Sequence, residues 1–200
     1  SPIIVGKIAN TLIKGQRKLD IIAFDKDKET VEYLQPRLKE INTTNIGKLG
    51  IASYLELPDE HSLEATPLAV DGVLYFTGSY SDVYAVEAVT SKILWKFEAQ
   101  NWKHEPHKLH YVLPVNRGAA YADGRIFSCT LDGRLLALDA KTGKLLWSVM
   151  TLPLKSKHTC TGAPRTFNGK VIIGNGGGDF AERGFVTAYD AATGKQAWRF

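Results

Sequence analysis

The chain has 200 residues, 44% hydrophobic and 23% charged, with a net charge of +4. That is an ordinary soluble composition, with no apolar run near the roughly 20 residues a membrane-spanning helix needs. Two cysteines, Cys129 and Cys160, are too few for a disulfide scaffold or a four-cysteine zinc site, and the mild charge and lack of a recognised module argue against nucleic-acid binding.

Residues 1–36 carry no repeat. "IIVGKIANTLI" is short, is interrupted by Lys7 and Asn10, and lacks the flanks of a signal peptide. "KGQRK" (residues 14–18) reads as a solvated basic face. "DKDKETVEYLQPRLKEIN" has partial helical character, broken at Pro36.

From residue 37 onward the sequence repeats. "AVEAVTSKILW" (Ala85–Trp95), "ALDAKTGKLLW" (Ala137–Trp147) and "AYDAATGKQAW" (Ala188–Trp198) align without gaps. The tryptophans are spaced 147 − 95 = 52 and 198 − 147 = 51 residues apart. Each copy has a lead-in, "VDGVLYFTG", "ADGRIFSCT" or "FNGKVIIGN". Asp-Gly and Asn-Gly suit tight hairpin turns, whose two central residues both need positive φ. Gly143 and Gly194 in the later "TGK" turns suit a left-handed position; Ser91 at the same place is less comfortable. Each unit of about 50 residues is therefore a small antiparallel sheet of three or four strands. Such sheets bury both faces by radial stacking, which predicts an all-β fold, a β-propeller with about three blades visible. Trp95, Trp147 and Trp198 read as wedges between blades. The sequence stops at Phe200, inside a strand, so the propeller domain over 37–200 is expected to be part of a larger ring.

Between the repeats lie residues suited to chemistry. Glu64 in "LEATP", Arg117 in "VNRG" and Thr161 in "TCTGAP" each read, alone, as ordinary loop residues. "VIIGNGGGDFAERG" packs Gly174, Gly176, Gly177 and Gly178 ahead of Asp179. No helix follows to receive a phosphate and no Walker lysine is present, so a nucleotide loop is excluded. A bulged turn with a solvent-facing Asp179 stays open. "HEPHKLH" raises a zinc reading for His104, His107 and His110, but Pro106 breaks the helix that would align them and a polar inter-blade loop is favoured.

Over residues 38–200 these motifs resemble the quinoprotein alcohol dehydrogenases, eight-bladed propellers with four-stranded blades that hold pyrroloquinoline quinone (PQQ) and a calcium or lanthanide ion on the ring axis. The resemblance implies that Glu64 and Thr161 hydrogen-bond PQQ and that Arg117 pairs with a PQQ carboxylate. It implies that Gly176, Gly177 and Gly178 let the main chain approach the flat ring, and that Asp179 reaches the metal. It also implies an alcohol substrate, a cytochrome c or quinone acceptor and a periplasmic location, with the catalytic base beyond Phe200. The family usually has glutamate where Asp179 stands. Many members have two adjacent, bonded cysteines six and five residues before the arginine; Tyr111 and Val112 stand there, and Cys129 and Cys160 do not replace them by position. A non-enzymatic propeller of the same repeat type, binding protein segments as a scaffold, is the rival reading. It has no need to bring Glu64, Arg117 and Asp179 to one end.

Overall fold

A computed structural model describes residues 54–200, with Pro2, Ile3 and Thr43. The basic run at 14–18 and the expected helical stretch before residue 43 lie outside the described residues. Two short strands, β1 (Pro2–Ile3) and β2 (Leu55–Glu56), pair antiparallel. Three four-stranded sheets follow, each strand antiparallel to its neighbour in sequence. The first blade is β3 (Leu68–Val70), β4 (Val73–Thr77), β5 (Val83–Glu87) and β6 (Ile93–Phe97). The second is β7 (Ala120–Ala122), β8 (Arg125–Cys129), β9 (Arg134–Asp139) and β10 (Leu145–Met150). The third is β11 (Arg165–Phe167), β12 (Lys170–Gly174), β13 (Val186–Asp190) and β14 (Gln196–Arg199).

The local chemistry behaves as the repeat predicts. Asp71–Gly72 (φ 48° and 75°), Asp123–Gly124 (48° and 72°) and Asn168–Gly169 (46° and 69°) turn the first strand of each blade into the second. Both central residues have positive φ, as a type I′ hairpin demands. The later turn is held by an acid: Asp139 accepts hydrogen bonds from Lys141 N, Thr142 N and Thr142 Oγ1. Asp190 repeats the pattern with Ala192 and Thr193. These donors hold both carboxyls below the usual aspartate range. Ser91, Gly143 and Gly194 share the left-handed position, at φ 58°, 70° and 74°.

The second blade is covered on both faces. Ile126, Leu136 and Leu138 pack against Tyr75, Val83 and Ala85 of the first blade. Their alternates Phe127, Cys129, Leu135 and Ala137 pack against Val171, Ile173 and Tyr189 of the third. This explains why "RLLALD" is a nearly continuous apolar run; a strand buried on both faces has no polar alternation to show.

The tryptophans join the blades. Trp95 Nε1 donates to Ala140 O at 3.0 Å, and Trp147 Nε1 donates to Ala191 O at 3.2 Å. Each ring lies over the turn glycine of the next blade. A Cβ on Gly143 would stand 2.7 Å from the Trp95 ring, and one on Gly194 would stand 2.9 Å from Trp147. The turn glycines thus satisfy two constraints, positive φ and contact with a ring. Trp198 holds the equivalent register, opposite Ala188 as Trp147 is opposite Ala137, and is 42% exposed.

Two substitutions separate those constraints. Gly124→Ala, where a Cβ meets nothing within 4 Å, is expected to cost only left-handed strain, about 1–2 kcal/mol. Gly194→Ala adds the clash with Trp147 and should cost about 1–3 kcal/mol more. Urea unfolding midpoints of the two variants check this.

Candidate active site

Each blade is preceded by a lead-in that crosses the same end of the sheets, and a predicted site residue stands near the end of each. Glu64 lies 68 − 64 = 4 residues before β3, Arg117 lies 120 − 117 = 3 before β7, and Thr161 lies 165 − 161 = 4 before β11. Radial repetition brings equivalent positions together, and these three meet. Arg117 Nη1 donates to Thr161 Oγ1 at 2.6 Å, and Arg117 Nη2 lies 3.4 Å from Glu64 Oε2. The Arg117 backbone N–H also donates to Thr161 O at 2.9 Å. Gly118 (φ 129°) completes the junction: a Cβ there would lie 3.4 Å from Thr66 O and 3.6 Å from the Ala163 Cβ.

The Arg117 and Glu64 side chains are 54% and 42% exposed. An ion pair this open is worth at most about 1 kcal/mol, so the guanidinium is free to take another anionic partner at little cost. It keeps donors beyond those used on Thr161 and Glu64. Thr161 Oγ1 accepts from Arg117, which leaves its own proton available to an acceptor. The arrangement suits a carboxylate-bearing ligand, for which a guanidinium fork is the matched donor.

The glycine run borders this junction. Gly176 pairs with Thr159, two residues before Thr161, through Gly176 N–H to Thr159 O at 2.8 Å and Thr159 N–H to Gly176 O at 3.2 Å. The three glycines differ in kind. A Cβ on Gly176 would stand 2.6 Å from Thr159 Oγ1, and one on Gly177 (φ 125°) would stand 3.2 Å from the His158 Cα. Both are required by packing within the chain. Gly178 has nothing within 4 Å of a Cβ, so space opens there. Asp179 follows in the exposed 3-10 turn Gly178–Phe180 and makes no side-chain hydrogen bond or ion pair among the described residues. Phe180 packs edge-on against Tyr111, with ring centroids 5.1 Å apart. Behind the loop, Glu182 Oε1 accepts from Lys157 N at 2.8 Å, and His158 Nε2 donates to Arg183 O at 3.0 Å.

Among the described residues no group of three or more His, Cys, Asp or Glu is placed to hold a metal ion. His104 and His110 are exposed, and His107 pairs with Glu105 at 3.1 Å. "HEPHKLH" is partly wound as a 3-10 segment, Pro106–Tyr111.

Three features were not anticipated. Cys129 and Cys160 form a disulfide between the second and third blades, with Cα atoms 6.0 Å apart. Asn116, fully buried beside Arg117, donates from Nδ2 to Cys129 O at 2.7 Å and accepts Thr77 Oγ1–H and Gly118 N–H, each at 3.0 Å. Lys108 is the third. Its side chain is fully buried, and Nζ donates to Pro153 O, Ser156 O, Ser156 Oγ and His158 O at 3.0–3.3 Å. Burial pushes this amine below the ordinary lysine value, while a cage of four oxygens suits the ammonium form. The only sequence signals were Asn116 inside "VNRG" and a lysine between two histidines, neither of which specifies a partner.

A family model described as the glucose/ethanol/alcohol dehydrogenase β-propeller domain, PQQ, matches residues 23–200. The chain belongs to this family. Within it, the quinohemoprotein alcohol dehydrogenase ADH-IIG of Pseudomonas putida is 49% identical over 82% of the chain. The dehydrogenase subunit of the quinone-linked alcohol dehydrogenase of Komagataeibacter europaeus is also 49% identical over 82%. The chain spans 23% of the length of each. Among solved structures, the quinohemoprotein alcohol dehydrogenase of Comamonas testosteroni superposes with a TM-score of 0.74 at 42% identity, over 80% of the chain and 24% of that protein. A europium-containing methanol dehydrogenase gives 0.73 at 36% identity, over 80% of the chain and 28% of that protein. The PQQ-family propeller is therefore the fold of this chain, as the repeat and its lead-ins led one to expect.

Lys108→Met is expected to deprive the carbonyls of Ser156 and His158 of this donor, lowering stability by about 1–3 kcal/mol. Chemical denaturation of the variant beside the wild type measures it.

Proposed function

We propose that this chain forms part of the cofactor-holding wall of a PQQ-dependent alcohol dehydrogenase that oxidises primary alcohols or similar hydroxyl compounds. One observation carries the reading: three residues from three separate lead-ins, Glu64, Arg117 and Thr161, meet in contact at one end of the blades. A scaffold propeller has no use for that convergence. Bound PQQ supplies the quinone that accepts hydride from the alcohol.

The chain's own residues hold and orient. Arg117 pairs with a carboxylate of the cofactor, and Thr161 donates its free proton to the same edge. Glu64 fixes the far side of the guanidinium and accepts from the ligand. Gly178, where space is open, is where main chain and flat ring approach. Asp179 offers a carboxylate oxygen, the donor a hard calcium or lanthanide ion takes, and needs further oxygens beyond the described residues. A cytochrome c or a quinone takes the electrons; a relative from Thauera butanivorans is named 1-butanol dehydrogenase (cytochrome c). A periplasmic site is consistent with the disulfide, since such bonds persist in oxidising compartments.

Fluorescence titration of the purified protein with PQQ tests the reading. Saturable binding is expected, weakened at least tenfold by Arg117→Ala, where a charge-assisted contact is worth about 1.5–3 kcal/mol. Equal affinity in the variant would return weight to a scaffold. In dye-linked assays with PQQ and calcium, residues 1–200 alone are expected to oxidise no alcohol, because the described residues assemble no complete metal site. Turnover abolished by Asp179→Ala would overturn that expectation.

A further inference from the structure

We infer that the Cys129–Cys160 disulfide and Asn116 are positioning residues for the Arg117–Thr161 pair, setting where its anion-binding edge stands. Their geometry forms a closed circuit between the second and third blades, tied at one point to the first. Thr77, at the end of β4 in the first blade, donates to Asn116 Oδ1 at 3.0 Å. Asn116 donates to Cys129 O at 2.7 Å, at the end of β8 in the second blade. Cys129 is bonded to Cys160, in the lead-in to the third. Thr161 follows Cys160 directly, and its carbonyl and hydroxyl both accept from Arg117, at 2.9 and 2.6 Å. Arg117 follows Asn116, so the circuit closes on itself.

The circuit's interior is dry and its outer edge is wet. Asn116, Cys129 and Cys160 are each 1% exposed or less, whereas the Arg117 side chain is 54% exposed. An arginine that open has little packing to fix it, and its place follows from the backbone on either side. That backbone is tied twice: through Asn116, and through Thr161 by way of the cross-link. Cys129 and Cys160 also belong to the apolar cluster between the second and third blades, so sulfur packing and covalent linkage act at one point and need separate variants.

That the pair holds PQQ rests on the reading above; that the circuit sets its position does not. The test is amide hydrogen exchange, read by NMR, on the wild type and two variants. Cys129→Ser with Cys160→Ser removes the bond, and Cys129→Val with Cys160→Ala removes it while refilling the apolar space. The reporters are the amides of Arg117, bonded to Thr161 O, and Gly118, bonded to Asn116 Oδ1. Both variants are expected to exchange at least tenfold faster there, with Leu136 and Ala188 in the core strands changing less than twofold. Unchanged protection at Arg117 would overturn the inference, as would an equal rise at Leu136 and Ala188, which marks a stability role alone. Protection restored by the valine–alanine pair would assign the effect to packing and also overturn it. Failure of both variants to fold counts against it, because a positioning link is dispensable for folding. PQQ titration of the same proteins should show affinity reduced at least fivefold. A wild type that binds no PQQ would sink the cofactor reading and leave the exchange result to judge the circuit.

Discussion

The contact between a tryptophan ring and the turn glycine of the next blade organises the molecule. Trp95 over Gly143 and Trp147 over Gly194 each combine a flat apolar contact with one directed hydrogen bond to an alanine carbonyl. The apolar contact supplies burial, on the order of 2–3 kcal/mol for a large side chain, and the hydrogen bond supplies direction. Together they fix both the distance and the rotation of one sheet against the next. Ala140 O accepts from Tyr75 Oη as well, at 3.0 Å, so the first contact is doubly referenced. Because rotation between blades is fixed, their lead-ins arrive in register, and three loop residues scattered through the sequence become one cluster.

That dependence explains what sequence reasoning reached. Turn chemistry and the tryptophan spacing depend only on local φ/ψ and on repetition, so the strands, the hairpins and the left-handed turns were legible. Glu64, Arg117 and Thr161 were legible as candidates only through the resemblance to the quinoprotein dehydrogenases, since each alone reads as an ordinary loop residue. The second reason for Gly143 and Gly194, an indole from another blade, left no local trace. Nor did the close packing of Gly176 on Thr159 and of Gly177 on His158.

The disulfide was illegible for a similar reason. Cys129 ends a strand and Cys160 lies 31 residues on, in a lead-in whose path no propensity specifies. Closing a loop of that length contributes roughly 3.5–4 kcal/mol by restricting the unfolded chain. Lys108 was illegible because its partners are backbone carbonyls, which any sequence offers. Long connections such as 98–119 derive their shape from such irregular bonds, and irregular bonds carry no period.

The double-sided burial of the second blade bears on how the molecule is made. Strands β8 and β9 present apolar side chains to both neighbours, so this sheet has no face that tolerates water. During synthesis from the N-terminus, the second blade emerges with the first already available and the third still to come. Until Val171, Ile173 and Tyr189 arrive, Phe127, Leu135 and Ala137 have no cover. The smallest unit that can become native around this blade is therefore a trio, and the interval before the third sheet docks is the one in which a holding chaperone would matter most. The cysteines set a clock on the same interval, since residue 129 has no partner thiol until residue 160 has been added.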